Sequence, residues 1–165
     1  MTAQFSERLI LRGETLALCE NPLHHYLESS ASTFKFMSTS TACWRGYVGT
    51  WAIENDRLYL VRLSGSARTS AGGDVKDVTL ADLFPDYPDG VFAHWFNGEL
   101  RCPQGELLKY VHGGYASTYE RDLFLEVRRG VLVGERLVVN GTPKPNYYQG
   151  RSLDALTAHD EKGAL

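Results

Sequence analysis

Tyr47, Gly49, Trp51 and Ile53 alternate with Val48, Thr50 and Ala52. After Glu54-Asn55-Asp56 the run Leu58-Tyr59-Leu60-Val61-Arg62-Leu63 follows. Successive side chains of a strand point to opposite faces, so this period of two fits no helix, and the polar break returns the chain as an antiparallel partner. A hairpin of this kind must bury one face, and the rest of the chain is read for what extends or covers it. Gly46 and Gly49 remove side chains from the first strand, which marks a bulge or the close approach of another group, such as a neighbouring aromatic ring.

Three further hairpins are predicted. Leu9-Ile10-Leu11 and Thr15-Leu16-Ala17-Leu18 flank Arg12-Gly13-Glu14 as a pair at a sheet edge, and the run 123–127 with 131–139 flanks Arg128-Arg129-Gly130. Asn97-Gly98 between 91–96 and Glu99-Leu100-Arg101-Cys102 is a strong hairpin signal, with Pro103 ending the pairing. The residues 64–77 are polar, contain glycine and show no period, as a mobile surface loop does.

Helical signals are short. Asn21-Pro22 reads as a cap followed by proline at the first helical position, with Leu23, Tyr26 and Leu27 on one side. Thr79 and Asp82 have capping-box spacing ahead of a helix that Pro85 stops, and a brief turn is expected through Glu106, Leu107, Leu108 and Tyr110. The expectation is an α+β fold of mainly antiparallel hairpins, forming a curved sheet, barrel or sandwich, with two or three short helices. Residues 1–145 form one domain. Residues 146–165 form an extended arm and polar tail, where Tyr147-Tyr148 can anchor the arm or meet a partner.

The 165 residues, 43% hydrophobic and 22% charged, suffice for one core without disulfide or metal. A net charge of −3 with no basic run gives no footprint for nucleic acid, and no apolar stretch is long enough for a membrane helix. The N-terminus lacks the features of a signal peptide, which points to the cytoplasm. The cysteines, Cys19, Cys43 and Cys102, form no C-x-x-C pair and read as reduced and structural. His24 and His25 lie about 100° apart on a helix and cannot aim at one ion, so neither metal nor cofactor is expected.

Reactive side chains crowd into 91–127. His112 with Glu120 has the residue types for general acid and base catalysis, with Tyr115 or Ser117 as hydroxyl partner. The pair Gly113-Gly114 beside His112 exposes backbone N–H groups, although no nucleotide-binding spacing is present. Candidate binding residues are Trp44, Arg45, Trp95, Glu99, Arg101 and Tyr115, the guanidinium groups being suited to gripping a carboxylate or phosphate. Glu99 and Arg101, two apart in a strand, share a face.

The stretches Thr41-Ala42-Cys43-Trp44-Arg45-Gly46-Tyr47, Trp95-Phe96-Asn97-Gly98-Glu99-Leu100-Arg101 and Tyr110-Val111-His112-Gly113-Gly114-Tyr115 resemble those of a widespread set of uncharacterised bacterial proteins. The resemblance covers the chain from the first hairpin to about Asn140 and implies a bacterial origin and a single-domain unit; it implies no activity. Two functions are open on sequence. One is a non-catalytic binding protein, an accessory or immunity-like factor that occupies a partner protein or pairs as a homodimer. The other is a small enzyme using His112, Glu120 and the arginines on a small anionic ligand.

Overall fold

The computed structural model describes residues 2–30, 34–68 and 73–144. Its centre is the predicted hairpin, β4 (Tyr47–Glu54) and β5 (Arg57–Arg68), in which Ala52 faces Tyr59 and Ile53 faces Leu58. The predicted first hairpin is also present, as β1 (Glu7–Leu11) and β2 (Glu14–Leu18). The third joins β9 (Thr118–Arg128) to β10 (Val131–Val139) through Arg129 and Gly130, both at positive φ, as a two-residue turn matching strand twist requires. β8 (Gly98–Lys109) pairs with β9 on its other side.

The sheet runs β2-β1-β4-β5-β10-β9-β8. Three short strands, β3 (Lys35–Phe36), β6 (Lys76–Thr79) and β7 (Val91–Phe92), also pair with β5. Most pairings are antiparallel, but β1 lies parallel to β4, with Leu9 beside Trp51, so the sheet is mixed. It is not closed into a barrel, which corrects one form of the expected architecture. Cys19 N–H donates to the Arg101 carbonyl at 2.8 Å, so the two outer ends come together, yet β5 and β10 are joined only at Arg57 and Val131. Beyond that point β10 is paired on one side alone and leaves Val133, Leu137 and Val139 exposed.

The fully buried core contains Leu9, Leu18, Trp51, Leu60, Phe96, Leu100 and Leu125, so each long hairpin contributes its alternate residues. Both predicted helices form. α1 (Pro22–Ser29) has proline at its start, but Asn21 does not cap it, because its side chain serves another partner described below. α2 (Leu80–Leu83) carries the predicted box, in which the Thr79 N–H and hydroxyl both reach Asp82 Oδ2, at 2.8 and 3.0 Å. Trp95 joins the helices, donating its indole N–H to the Pro22 carbonyl at 2.9 Å and lying parallel to Phe84.

Four local expectations are corrected. Asn97-Gly98 is not a hairpin turn: β7 pairs with β5, the chain turns at Ala93 to Phe96, and Asn97 Oδ1 accepts the Arg129 N–H. The strand after Gly98 finds a longer partner in β9, and tertiary pairing outweighs the local signal. The helical turn at 106–110 and the stop at Pro103 are absent, since β8 runs through both, opposite Asp122 at Pro103 and with register shifts after Gln104. The expected loop 64–77 holds the end of β5 and the start of β6 instead. The expected arm and tail at 146–165, with Tyr147 and Tyr148, lie outside the described residues. Among the described residues no helix is long and apolar enough to cross a membrane.

Candidate functional site

A cavity of about 280 Å³ opens where the ends of β1, β2 and β8 meet the connection between β8 and β9. One wall is the N-terminal strap, residues 3–6. Ala17, Cys19, Pro103 and Gly105 also line it, together with Tyr110, Tyr115 and Tyr119. None of the lining residues carries a charged side chain.

Tyr115 is the cavity's best-anchored group. Its hydroxyl lies 2.7 Å from Asn21 Oδ1 and 3.2 Å from the Phe5 carbonyl, which explains why Asn21 leaves the helix uncapped. Burial, with the nearby Glu7 charge, pushes this phenol far above its ordinary range. Cys19 is half-buried, and burial also raises its thiol. Behind it the Cys102 thiol is pushed up to about 12, chiefly by burial, so neither is a ready thiolate near neutral pH.

Arg101 builds the loop rather than reaching into the cavity. Its Nε donates to Asp122 Oδ1 at 2.9 Å, while its two terminal nitrogens donate to the carbonyls of Tyr115 and Ser117. Asn140 takes the other Asp122 oxygen at 2.9 Å. A guanidinium so occupied holds residues 115–117 in place and has little left to give an anion. Glu99 shares its face, as expected, but its partner is Arg136 at the surface.

The proposed acid and base do not meet. His112 is exposed and its Nδ1 lies 3.2 Å from the Tyr110 hydroxyl, whereas Glu120 pairs with Arg121 at 3.1 Å and lies over Gly105. Gly105 has φ +82° and no side chain to resist that carboxylate, so glycine is required there. Trp44 is 53% exposed, its backbone N–H held by Gln4 Oε1. Trp95 is the helix-joining residue already described. The six binding candidates are therefore divided, with Tyr115 alone of them lining the cavity.

Arg45 leads to a residue that the sequence reading passed over. It makes an ion pair of 3.3 Å with Glu7 and lies 5.6 Å above the Tyr47 ring. Glu7 has no exposed surface, and the Gly49 N–H donates to its Oε2. A Cβ on Gly49 would stand 2.9 Å from the Trp51 indole nitrogen and 3.1 Å from Glu7 Oε1, so the close approach expected at this glycine is real and includes a carboxylate. Glu7 Oε1, Trp51 Nε1, Arg45 Nε and Tyr47 Oη are all buried without a hydrogen-bond partner. Burial raises the Glu7 carboxyl from 4.5 to about 7, against the opposing pull of Arg45, the Gly49 N–H and the neighbouring Trp51 indole. The signal was present in Glu7-Arg8-Leu9-Ile10-Leu11, where the acid falls in phase with two inward leucines.

Among the described residues no group of three or more His, Cys, Asp or Glu side chains is placed to hold a metal ion. His24 and His25 instead face Glu28 and Glu20. Comparison of the chain with protein-family models, with curated proteins and with solved structures finds no match.

Proposed function

We propose that this is a non-catalytic binding protein whose ligand is a small, uncharged, largely apolar molecule held in the cavity beside Tyr115. The observation that carries this reading is the lining: aromatic rings, Pro103 and small residues, with Gln4, Ser6 and Ser117 as neutral polar groups and no charged side chain among them. A charged ligand would lose its hydration there without a counter-charge to replace it, whereas an apolar one gains about 25 cal/mol for each Å² removed from water. Arg45 and Arg101, the groups suited to an anionic ligand, already hold Glu7 and Asp122. His112 and Glu120 each have other partners and neither lines the cavity, so the reading assigns them no chemistry.

Two fluorophores with similar rings and different charge test this. Neutral N-phenyl-naphthylamine is expected to bind and brighten, and anionic anilinonaphthalene sulfonate to bind at least tenfold more weakly, a difference of about 1.4 kcal/mol. Ala17→Trp, at an exposed strand position on the cavity wall, is expected to abolish the neutral signal without unfolding the protein. Equal binding of both probes to wild type and Ala17→Trp would refute the assignment.

A further inference from the structure

β10 keeps one side of its backbone unused. Beyond Val131 its ladder runs only to β9, with Glu135 opposite Leu125, Leu137 opposite Leu123 and Val139 opposite Arg121. The Asn140 N–H donates to the Glu120 carbonyl at 2.7 Å, which fixes the phase of the ladder. Backbone groups of successive residues turn to opposite sides of a strand, and the register is unbroken from Gly134 to Val139. Glu135, Leu137 and Val139 therefore aim their N–H and C=O groups away from β9. Among the described residues no strand takes them.

An edge of this kind is a template for another strand unless lysine, proline or a bulge blunts it. Residues 134–139 contain neither lysine nor proline, and the bulge in β10 lies before them, between Leu132 and Gly134. Leu137 and Val139 are exposed large apolar side chains on this stretch. The chain leaves β10 in the other direction. Asn140 Nδ2 reaches the Tyr119 carbonyl and Asp122 Oδ2, and a Cβ on Gly141 would stand 3.3 Å from Leu108 Cδ1 in β8, so the turn after β10 crosses toward β8 and away from the open edge.

The edge also fits itself. Two copies related by a two-fold axis pair antiparallel, and outward-facing backbone groups exchange the hydrogen bonds. An axis at Glu135 sets Glu135 against Glu135, and one at Arg136 sets Arg136 against Arg136, each opposing like charges. With the axis at Leu137, that residue meets its own copy, Glu135 meets Val139 and Arg136 meets Val138, so no like charges face each other. Glu135 is already paired with Arg12, and Arg136 with Glu99, within the same chain. An axis nearer either end shortens the ladder, because the Leu132 N–H is given to the Asp56 carbonyl and the strand stops at Val139.

We propose that β10 is a self-association edge, at which two copies of this chain join antiparallel about a two-fold axis at Leu137 and continue the sheet from one chain into the other. The contact is small, so the dimer is reversible. It stands independently of the cavity reading.

Sedimentation equilibrium on the full chain, from about 5 μM to about 500 μM, spans the range in which a contact with a Kd of about 50 μM fills. The weight-average mass is expected to rise from that of one chain toward that of two. Leu137→Lys sets like charges face to face, and Val139→Pro removes an N–H that the β9 ladder does not use. Each is expected to weaken association at least tenfold while the monomer stays folded. Hydrogen exchange reads the edge directly: protection of the Glu135, Leu137 and Val139 amides is expected to rise with protein concentration, while that of Arg136 and Val138, which face β9, stays high throughout. A chain that remains monomeric over the whole range, or a dimer indifferent to both variants, overturns the proposal. Protection of the three outward amides that does not depend on concentration also overturns it, since another part of the same chain would then cover the edge. Should Val139→Pro lose its β9 pairing, Leu137→Lys and the wild-type exchange decide.

Discussion

Glu7 concentrates the electrostatic tension of the protein in one side chain. Its single ion pair with Arg45, its bond from Gly49 and the neighbouring Trp51 indole do not offset the loss of water, so its carboxyl is raised to about 7. The contribution to global stability has a definite sign. The native state holds this proton more tightly than the unfolded chain, so the stability attached to it is complete below pH 4.5, declines as pH rises toward about 7, and is level beyond. The difference in unfolding free energy between wild type and Glu7→Gln, from urea melts, should trace that profile, other groups cancelling. Glu7→Ala also removes the packing of this side chain beside Arg45, so its loss is expected to exceed that of Glu7→Gln at every pH and to shrink along the same profile as pH rises from 4.5 toward about 7.

At the scale of elements, adjacent alternation was the most readable information in the chain. It placed β1 with β2, β4 with β5 and β9 with β10, because each is a local pairing closed by a short turn. Asn97-Gly98 misled because a turn signal states only that the chain can reverse there; which strand then pairs is set by length, and β9 offers β8 a far longer ladder than β7 does. The candidate site was less legible. Arg45 and Tyr115 were singled out, but the cavity is made by backbone and small residues such as Ala17 and Gly105, whose side chains announce no chemistry. Gly49 shows how such a position still carries energy. Gly49→Ala would place a methyl 2.9 Å from Trp51 Nε1, 3.1 Å from Glu7 Oε1 and 3.2 Å from Leu60 Cδ1. All three neighbours are fixed in the core, and a loss of about 1–3 kcal/mol is expected in thermal or chemical melts.

Across the whole molecule, the parallel contact of β1 with β4 could not be read from neighbouring residues, because the two strands are separated by β2, α1 and β3. The same distance has a kinetic meaning. β8, β9 and β10 follow one another in sequence and in space, and their ladders need only short loops to close, while joining β1 to β4 must first restrain the long intervening chain. The seam between β5 and β10, a single residue pair, does little to couple the two halves. Assembly should therefore proceed in two stages: in pulse-labelled refolding the amides of Leu100 and Leu125 gain protection before the amides that bridge β1 and β4. Because residues 3–6 and Glu7 lie at the leading end of β1, the N-terminal wall of the cavity would be the last part of it to be built.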